Sequence, residues 1–333
     1  MKVSTSKTEK MIESVIEGDK IAIAEVLNVL ENKRTDYQTF IESLIEGLSK
    51  HVKYDRHIVG ITGPPGVGKS SLISDLLKVF RKRGKTIGLI AIDPTSKRSG
   101  GALLGDRSRI RYDPLDDGIF IRSMAAGDHL GGLARRTRYC MTAFEVVYDY
   151  IIVETVGVGQ SETEIDQVAD TVIFVVQPGS GDVLQFMKSG IIEIPHLFVI
   201  NKADQRSLAI KTRIDLEEAL GNGVREDDDW RYQLIETSAY EHWGAEDVVN
   251  SIEDHHKHLI DRGYLESARR HHQNEWIYMI FKENFGIFGL EYLGGSVEVR
   301  EKIRHMNTLN FFQGYQRLKS EFFEKISARS SFS

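Results

Sequence analysis

The chain has 333 residues, 41% of them hydrophobic and 28% charged, with a formal net charge of -6. This composition excludes disordered and fibrous classes, and also a general nucleic-acid binder, because neutralising a phosphate backbone calls for a clustered excess of Lys and Arg. Basic residues do gather locally between Lys97 and Arg111, and the single cysteine, Cys140, excludes an intramolecular disulfide and reads as a buried thiol in a reducing compartment. No apolar run reaches the ~20 residues of a bilayer span. The first 20 residues mix Lys2, Lys7 and Lys10 with Glu9, Glu13, Glu17 and Asp19, which fits neither a signal peptide nor a transit peptide. A cytoplasmic protein with no membrane or nucleic-acid partner is expected.

In chain order, Thr8 to Lys50 carries apolar residues at helical spacing (Ile12, Val15, Ile16, then Ile23, Val26, Leu27, Leu30, then Phe40, Leu44, Leu48), which predicts two or three helices broken near Gly18-Asp19 and Asn32 to Asp36. From His57 the pattern changes to short apolar runs, each leading into a loop and a helix: Ile58 to Thr62, Ile87 to Ile92, Ile119 to Arg122, Tyr150 to Val153, Val172 to Val176, Leu197 to Ile200 and Leu234 to Thr237. Such runs predict an α/β fold with a mainly parallel sheet, helices on both faces, and ligands at the carboxyl ends of the strands. After about Asp247 helical segments return, clearest at Glu253 to Gly263, Leu265 to Glu283 and Asn310 to Ala328, with the Gly-rich stretch Gly286 to Gly295 between them. The division expected is an N-terminal helical region (1–50), a central α/β domain (51–246) and a C-terminal helical region (247–333). Trp276, Tyr278, Phe281, Phe285 and Phe288 read as helix core, with a partner or dimer surface as the alternative.

The loops after these strands carry the chemistry. Gly63 to Ser70 reads Gly-Pro-Pro-Gly-Val-Gly-Lys-Ser, follows a predicted strand and opens the amphipathic stretch Leu72 to Arg83, the context of a phosphate-binding loop. Gly63, Gly66 and Gly68 let the main chain, with Val67 and Ser71 on the same turn, approach phosphates closely. Lys69 reaches the β- and γ-phosphates, and Ser70 offers a hydroxyl to Mg²⁺. Glu154, at the end of another strand, is an acid placed near the metal, where Asp is more usual, and Gly157 supplies an amide that can sense the γ-phosphate. Asp93 and Asp106 are further candidates for ordering Mg²⁺ or its waters, with a helix-cap role open for a strand-end Asp such as Asp93. Asn201, Lys202 and Asp204 follow a strand, and the Asp204 carboxylate can accept both N–H groups of guanine. A site built to hydrogen-bond one group rejects analogues by roughly 10⁴ to 10⁵, so GTP is favoured over ATP. Thr237, Ser238 and Ala239 add a backbone amide for the guanine oxygen. Gln160 is a candidate for orienting water, with a solvated loop residue as the alternative, and Arg98, Arg107, Arg109 and Arg111 could include an arginine finger or form a solvated basic face. His255, His256, His258, His271 and His272 read as solvated helix faces, because no cysteine accompanies them.

These residues resemble the MeaB/ArgK family of SIMIBI-class P-loop GTPases, relatives of human MMAA. The resemblance rests on Gly63 to Ser70, Ile92 to Ser96, Gly105 to Arg107, Phe120 to Met124, Leu130 to Ala134, Glu154 to Glu162 (Glu-Thr-Val-Gly-Val-Gly-Gln-Ser-Glu), Gly181-Asp182 and Asn201 to Asp204. It implies a GTP-hydrolysing chaperone of an adenosylcobalamin-dependent acyl-CoA mutase, above all methylmalonyl-CoA mutase, that gates cofactor loading and protects the mutase. The cobalamin would be held by the mutase, and GTP, GDP and Mg²⁺ would be this chain's own ligands. It also implies that Asp93, Asp106 and Glu154 belong to the metal and switch region, that Thr155 to Glu162, including Gln160, is a second switch, and that Gln177 to Lys188, including Gly181, Asp182, Gln185 and Lys188, is a third switch answering to the mutase. A homodimer through the C-terminal helices is implied too. Ala125 to Asp128, Pro178 and the Phe186-Met187 pair depart from the family pattern and leave open which mutase is served. A nickel or zinc insertion GTPase of the same superfamily is the alternative, but it should carry a Cys motif or a long His tract. A kinase of periplasmic amino-acid transport would need ATP, which Asp204 disfavours.

Overall fold

The computed structural model describes residues 5–32, 34–93, 109–125, 135–155, 165–179, 193–221, 224–225, 228–306 and 311–330. Seven strands, β1 (His57–Thr62), β2 (Ile87–Asp93), β3 (Ile119–Ala125), β4 (Tyr150–Glu154), β5 (Thr171–Val176), β6 (Leu197–Ile200) and β7 (Gln233–Glu236), form one sheet in the order β3-β2-β4-β1-β5-β6-β7. Every strand pairing is parallel. All seven strands expected from the apolar runs are present, within a few residues at their ends. The topology puts β1 at the centre, between β4 and β5, so the loop leaving β1 is flanked by the carboxyl ends of both neighbours.

Alternation along β1 explains the layers. Ile58 packs with one helical layer, while Val59 and Ile61 point to the other. On the second face lie α4 (Lys69–Lys82) and α7 (Ala245–Asp261), burying Leu72, Ile73, Leu76, Leu77 and Phe80 from the first and Val248, Val249 and Ile252 from the second. On the first face, α1 (Thr5–Ile16), α2 (Lys20–Leu30), α3 (Gln38–Ser49) and α5 (Arg135–Val147) share one apolar core with α8 (Tyr264–Tyr292), α9 (Ser296–His305) and α10 (Phe311–Ser330). The helical segments from the two ends of the chain therefore meet over the sheet. Each fully buried Leu, Ile or Phe in these layers contributes roughly 1.5–3 kcal/mol. Cys140 lies in this core as a free thiol that burial holds well above its ordinary pKa. Toward the β7 edge, α6 (Arg206–Leu220) covers Phe174, Val176, Phe198 and Ile200 with Ala209 and Leu216.

Helix ends follow local chemistry. The Asp19 side chain caps α2 by accepting from the Ile21 amide at 2.9 Å. α4 closes with Gly84 in the left-handed region (φ 72°) and the Lys85 amide donating to the Phe80 carbonyl at 3.0 Å. The stretch from Gly286 to Gly295, expected to separate two helices, is mostly helical. The backbone breaks at Gly286 (φ 65°, ψ -165°) and resumes to Tyr292, because Leu290 and Leu293 turn into the core. α9 has no counterpart in the sequence reading: only Val299 and Ile303 of it are buried, too weak a stripe to show as a period. Among the described residues no helix is long and apolar enough to cross a membrane.

Candidate functional site

The site lies at the carboxyl ends of β1, β4, β5, β6 and β7. Gly63 leaves β1 with φ 139°, and a Cβ there would run into the Val175 carbonyl oxygen of β5. Gly68 has φ 95°, and its missing Cβ makes room for the Asn201 amide. That close approach holds the phosphate loop to the loop after β6. Asn201, 1% exposed, donates through Nδ2 to the Val67 carbonyl at 2.9 Å and accepts at Oδ1 from Thr237 Oγ1 and from the Ala239 amide, both at 3.2 Å. One side chain thus ties three loops together, and its amide orientation is fixed by two donors on one end and a carbonyl on the other.

At the phosphate end, Ser70 Oγ lies on the first turn of α4 and donates to Glu154 Oε1 at 3.1 Å. Two oxygens that share an octahedral Mg²⁺ at 2.0–2.1 Å sit about 3 Å apart when they occupy adjacent corners, so this hydroxyl and carboxylate are a fitting pair for that ion. Lys69 is buried, its ammonium donating to the Gly63 carbonyl at 2.7 Å and the Pro64 carbonyl at 3.1 Å, inside the curve of the loop. Asp93 closes β2 two residues beyond Ala91, which is in register with Glu154, so its backbone reaches the same rim. The side chain of Asp93 and the residues Asp106, Gly157, Gln160, Gly181, Asp182, Gln185 and Lys188 lie outside the described residues, as do Arg98 and Arg107. Of the remaining arginines considered as fingers, Arg109 and Arg111 are exposed.

At the opposite end, Asp204 accepts from Ser238 Oγ at 2.7 Å through Oδ1, which sets the rotation of the carboxylate. Ser238 in turn accepts from the Glu241 amide at 3.1 Å. Lys202, in the left-handed region at φ 61°, donates to the Gly66 carbonyl at 2.8 Å and to Gln177 Oε1 at 2.6 Å. Gln177, Thr62, Thr155, Asp75 and His242 had no contacts assigned from sequence. Thr155 Oγ1 donates to Thr62 Oγ1 at 2.9 Å, bracing the start of the Glu154 to Glu162 string. His242 Nδ1 sits 3.2 Å from both Asp75 oxygens, joining α4 to the loop after β7. No motif announces these pairs, since each joins residues distant in sequence.

The expectation that the histidines of the C-terminal region are solvated is corrected for His255, which is fully buried, and for His256, His258 and His272, which are half-buried; His271 is exposed. His255 belongs to a network at the opposite ends of the strands from the phosphate loop. The Val172 amide donates to His196 Nδ1 at 2.9 Å, so His196 carries its proton on Nε2 and directs it at Asp228 Oδ2, 3.2 Å away. His255 Nε2 approaches the same oxygen at 3.4 Å, while its Nδ1 lies 2.7 Å from Thr171 Oγ1, itself 2.7 Å from His57 Nε2. Burial lowers the pKa of His196 to about 3 against the opposing pull of Asp228, and burial also lowers those of His255 and His57. His196, Asp228 and His255 are close enough to suggest a metal site. The donor chemistry does not fit one: the His196 nitrogen that would bind an ion is the one that carries the proton.

The comparisons with known proteins agree with this geometry. Residues 23–286 match the family model described as methylmalonyl Co-A mutase-associated GTPase MeaB. The chain belongs to this family. A Pyrococcus horikoshii relative is 40% identical over 268 residues, 79% of this chain and 82% of its own length. The GTPase ArgK of Escherichia coli is 32% identical over 83% of this chain and 84% of its own. The mouse mitochondrial methylmalonic aciduria type A homolog is 30% identical over 89% and 73%. The crystal structure of a LAO/AO transport system kinase matches with a TM-score of 0.70 at 25% identity, covering 97% of this chain and 100% of that one. This MeaB-family chain is therefore a P-loop GTPase with a parallel α/β core.

Proposed function

We propose that this GTPase is a nucleotide-gated chaperone of an adenosylcobalamin-dependent acyl-CoA mutase, methylmalonyl-CoA mutase or a close relative, working in the cytoplasm. The observation that carries the reading is the Ser70–Glu154 pair, an acid one carbon longer than the usual Asp at the start of the Glu154 to Glu162 string. It stands in a chain whose family is named for association with methylmalonyl-CoA mutase.

In this reading the loop from Gly63 to Ser71 binds the phosphates through backbone N–H groups at the N-terminus of α4, and Lys69 turns its ammonium from the Gly63 and Pro64 carbonyls to the β- and γ-phosphates. Asp204, held by Ser238, accepts from the guanine N1–H and N2–H groups, and the Ala239 region meets the guanine oxygen. Ser70, Glu154, Asp93 and Asp106 would hold Mg²⁺, which would supply positive charge to offset the negative charge of the nucleotide phosphates during hydrolysis. The Gly157 amide senses the γ-phosphate and Gln160 orients the attacking water. The residues from Gln177 onward, including Gly181, Asp182, Gln185 and Lys188, pass that state to the mutase, which keeps the cobalamin. The C-terminal region, 247–333, supplies the contact for a homodimer, a reading supported by the exposed apolar side chains of Met279, Ile287, Phe288 and Phe323 on α8 and α10.

Turnover measured with and without a candidate mutase tests the reading. Slow hydrolysis of GTP alone, rising at least about tenfold with methylmalonyl-CoA mutase, is the expected outcome. Turnover unaffected by every adenosylcobalamin-dependent acyl-CoA mutase tried would count against it.

A further inference from the structure

We propose that Gln177 is a positioning residue for the guanine end of the site, acting through Lys202. The inference rests on the reading of Asn201 to Asp204 as the guanine loop and goes beyond it by adding a residue from a different strand. Gln177 directly follows β5, whereas Lys202 follows β6, and the two strand ends are joined where the Asn201 amide donates to the Val176 carbonyl at 2.9 Å.

Lys202 occupies a left-handed backbone conformation at φ 61°, which for a residue with a Cβ costs on the order of 1–2 kcal/mol and persists only where the surroundings fix it. Its backbone is fixed by the Ala203 amide donating to the Thr237 carbonyl at 2.9 Å and the Gln205 amide donating to the Lys202 carbonyl at 3.2 Å. Its side chain is fixed at the far end, where the ammonium meets the Gly66 carbonyl at 2.8 Å and Gln177 Oε1 at 2.6 Å. The four-carbon stem is thus stretched from the base loop to the phosphate loop, and Lys202 Cε lies 4.0 Å from the position a Cβ on Gly68 would take. A stem on that course runs beside the space between base and phosphates, the position from which it would cover a guanine.

A lysine side chain carries about 2 kcal/mol of rotamer entropy and three rotatable donors, so one carbonyl acceptor leaves the ammonium free to swing. The second acceptor removes that freedom, provided it is itself held. Gln177 meets this condition: two residues on, the Gly179 amide donates to Thr212 Oγ1 of α6 at 3.2 Å, and Thr212 is buried. The acceptor is therefore preorganised by the strand behind it and the helix beside it. A consequence follows from linkage: whatever displaces Gln177 weakens the hold on the base, and whatever binds the base stabilises Gln177 in place, by the same factor.

Three proteins test this: the full chain, Gln177→Met, which keeps the shape and removes the acceptor, and Gln177→Glu, which restores an acceptor for the ammonium. Equilibrium affinity for GDP and ADP, kcat at saturating GTP and Tm are measured for each. The full chain should prefer GDP strongly over ADP; absence of that preference would refute the guanine-loop reading itself. With the preference present, Gln177→Met should weaken GDP binding about tenfold, the effect of losing one hydrogen bond to a charged group, and should lower GDP affinity by more than it lowers kcat, while Tm stays at the parent value. Gln177→Glu should bind GDP within about threefold of the parent, since a carboxylate oxygen takes the place of the amide oxygen and the ammonium keeps its second acceptor. Parent-like GDP affinity in Gln177→Met, or a loss in Gln177→Glu equal to that in Gln177→Met, would overturn the role given to Gln177.

Discussion

Replacing Asp204 by Asn removes one charge and exchanges one acceptor oxygen for a donor amide in a loop that is otherwise unchanged. In the structure Ser238 Oγ donates to Asp204 Oδ1 at 2.7 Å, so the side chain is already oriented and the substitution carries little reorganisation. The carboxylate can take both guanine N–H groups in charge-assisted bonds of roughly 1.5–3 kcal/mol each. The Asn side chain keeps one neutral bond of about 1 kcal/mol and sets its NH₂ against a donor of the base. The net loss is about 2–5 kcal/mol, or a GDP Kd raised by about 30- to 4,000-fold at 1.4 kcal/mol per tenfold. Xanthine carries a carbonyl where guanine has its amino group, so the same change should improve affinity for xanthosine diphosphate. Titration of purified Asp204→Asn with GDP and xanthosine diphosphate measures both. A GDP affinity within fivefold of the parent, or equal losses for the two nucleotides, would refute the assignment of Asp204 to the base.

Three further outcomes are expected. Gly68→Ala should lower GTP affinity by at least about 100-fold in a protein that still folds, since the new Cβ displaces the Asn201 amide from its contacts with the phosphate loop; isothermal titration together with far-UV circular dichroism checks this. Ser70→Ala and Glu154→Gln should each abolish most of the Mg²⁺ dependence of GTP binding while leaving Mg²⁺-free GDP binding near the parent value, measured by titrating Mg²⁺ at fixed nucleotide. The buried histidines predict acid sensitivity. The pKa of His196 is about 3 in the folded chain and about 6.5 unfolded, so between these values the unfolded chain binds the proton and the folded chain does not. Stability should therefore fall as pH drops below about 6.5, by about 2 kcal/mol from this one residue at pH 5. Urea unfolding at pH 7.5 and 5 reads the change. Asp228, whose folded pKa is lowered by the His196 and His255 hydrogen bonds against the cost of burial, loses its contribution only below about pH 4, so a decline starting there would assign the effect to carboxylates alone.

Much of the site was legible in the sequence because its chemistry is local. A glycine-rich turn between a strand and a helix and the four-residue loop Asn201 to Asp204 after a strand are each set by neighbours a few residues away, and the apolar runs that deliver them are buried on both faces. The parts that escaped depend on distance in sequence. Gln177 and Lys202 are separated by 25 residues and Asp75 and His242 by 167, so only the sheet order brings them together. The histidines misled for a similar reason. His255 lies on an amphipathic helix rich in charge, but its partners Thr171 and Asp228 come from β5 and from the loop before β7, and they supply the hydrogen bonds that let an imidazole be buried. The N-terminal helices read correctly as helices. Their shared core with α8 and α10 could not be read, because an apolar stripe states that a face is covered without stating by what.

The most direct test of the central claim is a co-purification of the full chain with purified methylmalonyl-CoA mutase in three states: nucleotide-free, with GDP, and with a non-hydrolysable GTP analogue. The account predicts a complex whose affinity changes at least about fivefold between the GDP and analogue states, the scale of an ordinary allosteric coupling, and that this difference disappears when Glu154→Gln replaces the parent chain. A complex with the same affinity in all three states, or no complex with this or any related acyl-CoA mutase, would contradict it.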